Sequence, residues 1–363
     1  MRPNHAARRE ALRRLVREAD ATAMLVTDLV NIRYLTGFTG SNAALLVHVH
    51  GDQHTLLCTD SRYSEQSARQ APDIRVDIAR ACGRRLAEFA NESEYKRLLF
   101  ESNVVTVEDH ATLSGTTKGI ELQGISGLVE QLREVKDDGE IDLIRQACAA
   151  GDAALAALLK AGGLREGRSE RDVARDLEWR MFEAGADGIA FETIVATGAN
   201  SAIPHHRPTE AVLAHGDFVK LDFGALVDGY HSDMTRTFVL GALSDWQRAA
   251  YDVVLASQLA GCEAVRSGVT DGELDAASRD VIEAAGMGRH FTHGLGHGVG
   301  LRIHEAPAIT KTGEGKLLSG AVVTVEPGVY FPGRGGVRIE DTLVVRDSGA
   351  ELLTLTSKDL TIV

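Results

Sequence analysis

Several features that would direct a chain to an extracellular, membrane or zinc-finger role are scarce in this sequence. The 363 residues include only 4 cysteines and 7 prolines, and aromatic residues make up 5%. The cysteines have no CxxC spacing, which is typical of buried, reduced thiols. No run of about 18 apolar residues occurs, so no membrane span is predicted. The cysteines are Cys58, Cys82, Cys148 and Cys262.

Positive charge is also scarce. The formal net charge is −13, which argues against a nucleic-acid partner held through its phosphates. The basic start, from Arg2 to Arg17, lacks the apolar core of a signal peptide and predicts a helix. With 44% hydrophobic and 25% charged residues, the composition is typical of a globular protein. We therefore predict a cytoplasmic protein.

The order of predicted elements indicates two domains. Strands at 23–27, 55–58 and 98–100 alternate with helices at 6–19, 61–69 and 106–116, which predicts a small α/β domain. The segment 31–47 is predicted to be a glycine-punctuated loop entering a strand, and 31–42 is the part best suited to reach an active site. A charged connector, EQLREVKDDGEIDLIRQA, predicts a boundary between domains 1–130 and 131–363.

The second domain contains a repeat. The same helix-start signal occurs at 169 and at 270, and each helix follows a longer one, predicted at 138–161 and 244–266. Matching caps at one offset predict two similar α/α/β halves with a cleft between their sheets. The matching residues are Ser169 with Asp172, Thr270 with Glu273, and the helix-ending glycines Gly185 and Gly286.

The stretch VKLDFGALVDGYHSDMTRTFVL (219–240) predicts a β-hairpin that turns at Asp228-Gly229. If these two residues take the turn positions, Asp222 faces Thr235 and Asp233 lies one diagonal step away. A shift by one residue, as a bulge would allow, makes the two aspartates direct partners. Either register brings the carboxylates within roughly 5–8 Å. Because such carboxylates repel and lose solvent, we expect a metal between them.

A second hairpin is predicted around the loop YFPGRGG, which is centred on Gly333 and places Glu326 opposite Glu340. Before it, HFTHGLGHGVGLRIHEAP (290–307) holds four histidines among glycines. Four carboxylates and an imidazole suit one or two ions of manganese, cobalt, iron or zinc. Bridging carboxylates favour a pair of ions about 3.5–4 Å apart, which supplies hydroxide at neutral pH and polarises a carbonyl.

The series LDFG, HSDMTRT, GHGVGLRIHE, VEPG and VRIED resembles the metallopeptidase family of aminopeptidase P, prolidase and methionine aminopeptidase. The N-terminal YLTGFTGSNA resembles the small domain of aminopeptidase P-like enzymes. The resemblance implies an α+β protein. Its C-terminal domain would have the pita-bread fold, with duplicated α/α/β halves and antiparallel sheet, after a smaller N-terminal α/β domain.

The resemblance also assigns the metal ligands. Two of them, Asp233 and Glu340, would bridge two divalent ions, with manganese favoured and cobalt, zinc or iron admitted. Glu326 would in addition act as general base and proton shuttle for a bridging hydroxide. The implied ligands are Asp222, Asp233, His297, Glu326 and Glu340.

Further residues of the implied site contact the substrate or tune the centre. His304 would steady the tetrahedral intermediate, and His293 would contact the substrate near proline. His205 matches the family's substrate histidine by its spacing, with the adjacent His206 as the competing candidate. Arg338 would lie beside Glu340 as a cation that tunes the ligands.

The activity implied by this resemblance is that of an Xaa-Pro aminopeptidase acting on peptides with proline in second position. The Xaa-Pro bond is a tertiary amide without an N–H, so an enzyme that aims a nucleophile by geometry alone suits it. The resemblance also implies a homodimer, in which Tyr34 and Phe38 approach the cleft of the neighbouring subunit.

Four alternatives compete with this prediction. A prolidase would present a cation to the free carboxylate of a dipeptide; several prolidases have arginine directly after HExP, whereas Ala308 follows HEAP here. Methionine aminopeptidase is disfavoured because it lacks a comparable N-terminal domain. Creatinase, a metal-free relative, is disfavoured because every acidic ligand position is filled in this chain. A peptide-binding scaffold of this fold would have lost ligands, and all five are present.

Overall fold

The computed structural model describes residues 4–363. These residues form two compact units, one that ends at Arg133 and one that begins at Glu134. We call them the N-terminal unit and the C-terminal unit. Within 4–363, no helix combines the length and the apolar character that crossing a bilayer requires.

The N-terminal unit is a six-stranded mixed sheet packed with helices. The sheet order is β4-β3-β2-β1-β5-β6; β2 is antiparallel to β1 and β3, and the other neighbours are parallel. This is the predicted α/β domain. Its elements are α1 (His5–Glu18), β1 (Ala23–Val26), α2 (Leu29–Thr36), β2 (Ala43–His48), β3 (Leu56–Thr59), α3 (Ser64–Gln70), β4 (Arg75–Ile78), α4 (Cys82–Glu92), β5 (Arg97–Glu101), α5 (Val107–Thr116), β6 (Glu121–Ile125) and α6 (Leu128–Glu134).

The prediction of a loop over 31–42 is wrong for its first half, where α2 lies. The Asp28 side chain caps this helix by accepting a hydrogen bond from the Val30 N–H. Gly37 ends it in the left-handed region, with φ of 79°. Only residues 37–42 form the loop before β2.

Tyr34 and Phe38 are part of the core of the N-terminal unit. Their exposed fractions are 5% and 1%. The Tyr34 hydroxyl donates to the Leu132 carbonyl at 3.0 Å, and the Phe38 ring packs edge-on against Tyr63. The expectation that they line a neighbouring subunit's cleft is therefore wrong.

The C-terminal unit consists of two halves, each with a long helix, a shorter helix and then strands. The first half contains α7 (Asp138–Lys160), α8 (Glu170–Glu183), β7 (Gly188–Ile189), β8 (Ile194–Thr197), β9 (Phe218–Phe223), β10 (Ala225–Val227), β11 (Tyr230–His231) and β12 (Met234–Val239). The second half contains α9 (Asp245–Ala264), α10 (Asp271–Ala284), β13 (Gly296–Gly298), β14 (Glu305–Ile309), β15 (Val322–Val325), β16 (Gly328–Phe331), β17 (Gly335–Arg338), β18 (Asp341–Arg346) and β19 (Gly349–Leu352).

The predicted duplication is confirmed at the helix starts. Ser169 begins α8 and Thr270 begins α10, each with a reciprocal capping box. The chain returns to both helix starts in the same way, since Ser169 bridges to Val212 and Thr270 bridges to Lys316.

The strands of the two halves form antiparallel sheets with matching centres. The first half has the order β12-β9-β8, and the second has β14-β13-β15-β18-β19. In each half, the two arms of a hairpin pair antiparallel, β9 with β12 and β15 with β18. One buried apolar cluster lies within the first half, and the other joins residues of the second half to Phe218 and Val239 of the first. Each half thus contributes one hairpin.

Candidate metal centre

The first hairpin has the first of the two predicted registers. Asp228 and Gly229 occupy the turn with φ of 42° and 74°, as a two-residue type I′ turn requires. Asp222 on β9 pairs with Thr235 on β12, and Asp233 directly precedes β12. The bulged register, with the two aspartates as direct partners, is therefore wrong.

The second hairpin has the predicted register throughout. Val325 pairs with Asp341 on one side of a short gap, and Gly328 pairs with Arg338 on the other. The two acids in the gap, Glu326 and Glu340, therefore lie opposite each other.

Hydrogen bonds between the hairpins bring the two carboxylate pairs together. The Glu340 N–H donates to the Thr235 carbonyl at 3.1 Å, and the Thr235 hydroxyl donates to Glu340 Oε2 at 2.7 Å. The Thr342 hydroxyl donates to the Asp233 carbonyl at 2.8 Å. Because Thr235 also faces Asp222, it holds one acid of each hairpin at the same point.

His297 on β13 supplies the imidazole. Its Nε2 atom lies 3.6 Å from Asp233 Oδ2 and 3.4 Å from Glu326 Oε1. Its Nδ1 atom lies 3.1 Å from the Gly298 carbonyl, which can only accept, so Nδ1 carries the proton and Nε2 faces the acids. Burial lowers the pKa of His297 to about 4, which favours the neutral ring that a metal requires.

These groups fit a divalent ion. Asp233, His297 and Glu340 offer ligand atoms that all lie within 4.8 Å of one another. Asp222 Oδ1 is buried without a hydrogen-bond partner in the described structure. Such an orphaned carboxylate oxygen, on a residue that lines the same cavity as the other three, is what a cation would satisfy.

Electrostatics lead to the same conclusion. Burial, followed by repulsion from neighbouring carboxylates, raises the pKa of Asp233 and of Glu340 well above their usual values. Burial also raises the pKa of Glu326 to about 8. A dication would offset this repulsion and allow all these acids to ionise.

Arg338 lies at the centre, but its main partner differs from the expected one. Its guanidinium forms an ion pair with Asp222 through Nη2, rather than with Glu340 beside it in sequence. Its Nε donates to the Thr235 hydroxyl at 3.0 Å, and its Nη1 donates to the Tyr330 hydroxyl at 2.7 Å. Arg338 thus orients Asp222, Thr235 and Tyr330 together.

The four other histidines predicted for the site occupy different positions. The His304 ring lies 4.4 Å from the His297 ring, and His293 Nε2 is 2.9 Å from the Tyr330 hydroxyl. Burial lowers the pKa of His293 to about 3. His205 is exposed in the cavity wall, whereas His206 is buried with its Nε2 atom 2.8 Å from Glu170. The structure therefore favours His205 over His206 as the substrate-facing side chain.

The residues predicted for the site line one cavity of about 260 Å³ or a second recess next to it. His293 and Arg338 line the recess, and His205, His297, His304 and Glu326 line both spaces. The first cavity is lined by Phe191, Glu192, Ile194, His205, His206, Arg207, Asp222, Asp233, His297, Ile303, His304, Glu326 and Glu340.

Sequence reasoning missed three residues that hold the site. Lys220 is fully buried, donates to the Ile203 carbonyl at 2.7 Å and lies over the Tyr330 ring. Its position two residues before Asp222, on the same face of the strand, was an available signal. Tyr330 and Glu170 had no such signal, because an aromatic in a strand and an acid in a first helical turn are both common.

Two family profiles together match nearly the whole chain. Residues 142–347 match the metallopeptidase family M24, and residues 8–135 match the creatinase/prolidase N-terminal domain.

Relatives of similar length agree with this match. A curated Xaa-Pro dipeptidase of Pyrococcus furiosus is 35% identical over 361 residues, covering 97% of this chain and 99% of that protein. A solved structure described as an Xaa-Pro dipeptidase from Bacillus anthracis has a TM-score of 0.95 at 38% identity, covering 99% of this chain and all of the other. A solved X-Pro aminopeptidase from Thermotoga maritima has a TM-score of 0.89 at 34% identity, covering 98% and 99%.

The expected pita-bread domain and the smaller N-terminal domain are confirmed by these matches. The acids and the imidazole of the two hairpins lie inside the matched segment, and this family implies divalent metal ions. The chain therefore belongs to the metallopeptidase family M24, with a creatinase/prolidase-type N-terminal domain.

Proposed function

We propose that this metallopeptidase is an Xaa-Pro dipeptidase that works with two divalent ions. The observation that carries the proposal is the likeness to dipeptidases along the whole chain, at 38% identity and a TM-score of 0.95 for the Bacillus anthracis protein. The Pyrococcus furiosus relative carries the same name. These similarities favour the dipeptidase over the aminopeptidase predicted from the sequence.

The residues proposed to hold the ions are Asp222, Asp233, His297, Glu326 and Glu340. When bound, two such ions lower the pKa of water and polarise the carbonyl under attack. Thr235 and Arg338 orient Glu340 and Asp222 through the hydrogen bonds described above.

Three side chains are proposed to act on the substrate itself. Glu326 lines both the cavity and the recess, where its carboxylate can take a proton and return it to the leaving nitrogen of proline. His304 and His205 also line both spaces and can donate hydrogen bonds to the peptide carbonyl. A homodimer, a cytoplasmic location and a preference for manganese stay predictions from the sequence.

A comparison of two substrates tests the proposal. The purified protein, loaded with Mn²⁺ or Co²⁺, is given an Xaa-Pro dipeptide and an Xaa-Pro-Xaa tripeptide of the same first residue. We expect release of free proline from the dipeptide and little cleavage of the tripeptide. Cleavage of the tripeptide alone would contradict the dipeptidase and favour the aminopeptidase.

The aminopeptidase is the second candidate because the Thermotoga maritima X-Pro aminopeptidase is also similar over nearly the whole chain. A binding scaffold is distinguished by metal analysis. Less than one equivalent of bound manganese, cobalt, iron or zinc after loading, together with no cleavage of either peptide, would favour the scaffold over both enzymes.

A further inference from the structure

One segment of the cavity wall, from Ile203 to Thr209, is held by hydrogen bonds on both sides of Arg207. On one side, the buried His206 ring contacts Glu170 at 2.8 Å. On the other, the Thr209 N–H and hydroxyl donate to the same Glu170 oxygen at 2.9 and 2.7 Å. The backbone of Arg207 is therefore fixed although its side chain is exposed.

Glu170 is itself anchored in the first half. It is fully buried at the start of α8, where its other oxygen accepts from the Thr197 N–H and from Asn200 Nδ2, both at 2.9 Å. The Pro204 carbonyl in turn accepts from Lys220 at 3.3 Å. This network joins the Ile203–Thr209 segment to α8, β8 and β9, so the position from which Arg207 extends is set by the core.

Arg207 is the one lysine or arginine that lines the 260 Å³ cavity among residues 4–363. Its Nε atom lies 3.1 Å from Glu192 Oε2, and both side chains are open to solvent, at 82% and 61%. The other permanent cation nearby, Arg338, lines the adjoining recess and is paired with Asp222. The remaining charged groups of the cavity are acids and histidines.

An Xaa-Pro dipeptide carries a free carboxylate on the ring carbon next to the scissile nitrogen. When the scissile bond approaches the centre, this carboxylate enters a cavity that contains five acidic side chains, Glu192 included. Bound ions would offset the charge of the four acids proposed as metal ligands, but the fifth acid, Glu192, would repel the carboxylate unless a cation lay between them. A guanidinium is the side chain best suited to hold a carboxylate, because its fork can donate two parallel hydrogen bonds.

We propose that Arg207 binds the free carboxylate of the dipeptide substrate, and that its ion pair with Glu192 breaks when the substrate binds. This inference rests on the dipeptidase function proposed above. The exchange costs little, because an exposed ion pair contributes little to stability. The new pair is screened less than the old one, because the bound substrate excludes water from the cavity.

Replacing Arg207 by methionine tests the inference, since Arg207→Met keeps an apolar stem and removes the charge. The Mn²⁺-loaded variant is assayed with an Xaa-Pro dipeptide and with the same dipeptide carrying a C-terminal amide. We expect KM for the dipeptide to rise roughly tenfold or more, with kcat nearly unchanged, because a charge-assisted hydrogen bond is lost. KM for the amide should not change.

Three further variants sharpen the assay. Arg207→Lys keeps the charge and should restore part of the lost affinity for the dipeptide. Glu192→Gln removes the competing carboxylate and should leave KM for the dipeptide equal or lower. Arg145→Met serves as the matched control, because Arg145 forms exposed ion pairs away from the residues that line the cavity.

The outcomes separate the inference from the function on which it rests. An unchanged KM for the dipeptide in Arg207→Met would overturn the inference alone. An equal rise of KM for the dipeptide and for the amide would also overturn it, since Arg207 would then shape the cavity without recognising the carboxylate. Failure of the unsubstituted enzyme to cleave any Xaa-Pro dipeptide would overturn the proposed function first, and the inference with it.

Discussion

The two halves of the C-terminal unit begin their second helices in the same way but use the next residue differently. Glu170 and Asp271 follow equivalent caps, and their N–H groups donate to equivalent carbonyls, those of Ala211 and Gly315, at 2.9 Å in both cases. Glu170 accepts hydrogen bonds from both sides of a cavity segment. Asp271 Oδ1 is buried without a hydrogen-bond partner in the described structure.

The space around Asp271 explains part of this difference. A Cβ atom on Gly313 or Gly315 would lie 2.6 or 2.4 Å from side-chain atoms of Asp271, so only glycine fits this close turn. The turn packs against the acid without donating to Oδ1. The duplication thus retains the helix start as framework, while only the first half uses it to hold a segment of the site.

The hairpins show the same division. The first contributes two aspartates, and the second contributes two glutamates together with Arg338, which crosses over to Asp222. His297 comes from the second half alone. The centre is therefore assembled from unequal contributions by two similar frameworks, and three pairs of substitutions test how the two halves differ.

The largest effect is expected for Asp233→Asn. The change removes a negative charge from a buried position where the ligand atoms of His297 and Glu340 converge, so hydrolysis should fall by roughly a thousandfold or more. Bound metal, measured by elemental analysis after loading, should fall as well. Asp228→Asn is the matched control, because it lies at the turn of the same hairpin and asparagine tolerates its positive φ. Full activity of Asp233→Asn would refute the metal assignment.

A smaller effect is expected from Arg338→Lys, compared with Arg236→Lys. Both arginines are buried between the hairpins, but Arg338 pairs with Asp222, while Arg236 pairs with Asp341 behind it. A lysine ammonium cannot hydrogen-bond to all the partners of the planar Arg338 guanidinium at once, so activity should fall about a hundredfold. Arg236→Lys should mainly lower the melting temperature. Equal losses of activity in the two variants would show that Arg338 has no special role at the centre.

The smallest effects separate Glu170 from Asp271. Glu170→Ala leaves several buried donors unsatisfied and should cost about 2–4 kcal/mol of unfolding free energy. Asp271→Asn should change it by less than about 1 kcal/mol at neutral pH, because the charge it removes is poorly satisfied. Denaturant unfolding of both variants measures the difference. Similar losses would mean that the two helix starts are equivalent after all.

The pH dependence of that measurement has a defined sign. Burial raises the pKa of Asp271, so the folded state binds a proton more readily than the unfolded state does. The stabilisation from this proton is present at acidic pH and is lost as pH rises through the raised pKa. The stability of the unsubstituted protein relative to Asp271→Asn should therefore improve as pH falls from 7. A difference in unfolding free energy between the two proteins that does not change with pH would contradict the raised pKa of Asp271 as its cause.

Much of the site could be predicted because local rules govern its parts. The Asp228-Gly229 turn limits the partner of Asp222 to Thr235 or Asp233, of which the structure has Thr235, and the YFPGRGG loop places Glu326 opposite Glu340. Capping residues mark the starts of α8 and α10. The helix α2 was missed, because a short helix among glycines and polar residues resembles a loop in sequence and is stabilised by the surrounding core.

The sequence by itself determined the two hairpins, the register of the second, the repeated helix starts and the kinds of ligand at the centre. Turns, caps and strand alternation depend on residues near each other along the chain, so these features can be predicted from the sequence. Only the tertiary structure decided that Arg338 pairs with Asp222, that His205 and not His206 is exposed in the cavity wall, and that Glu170 holds the segment carrying Arg207. These contacts join residues 36 to 116 positions apart, and packing of whole elements selects among several equally plausible partners for them.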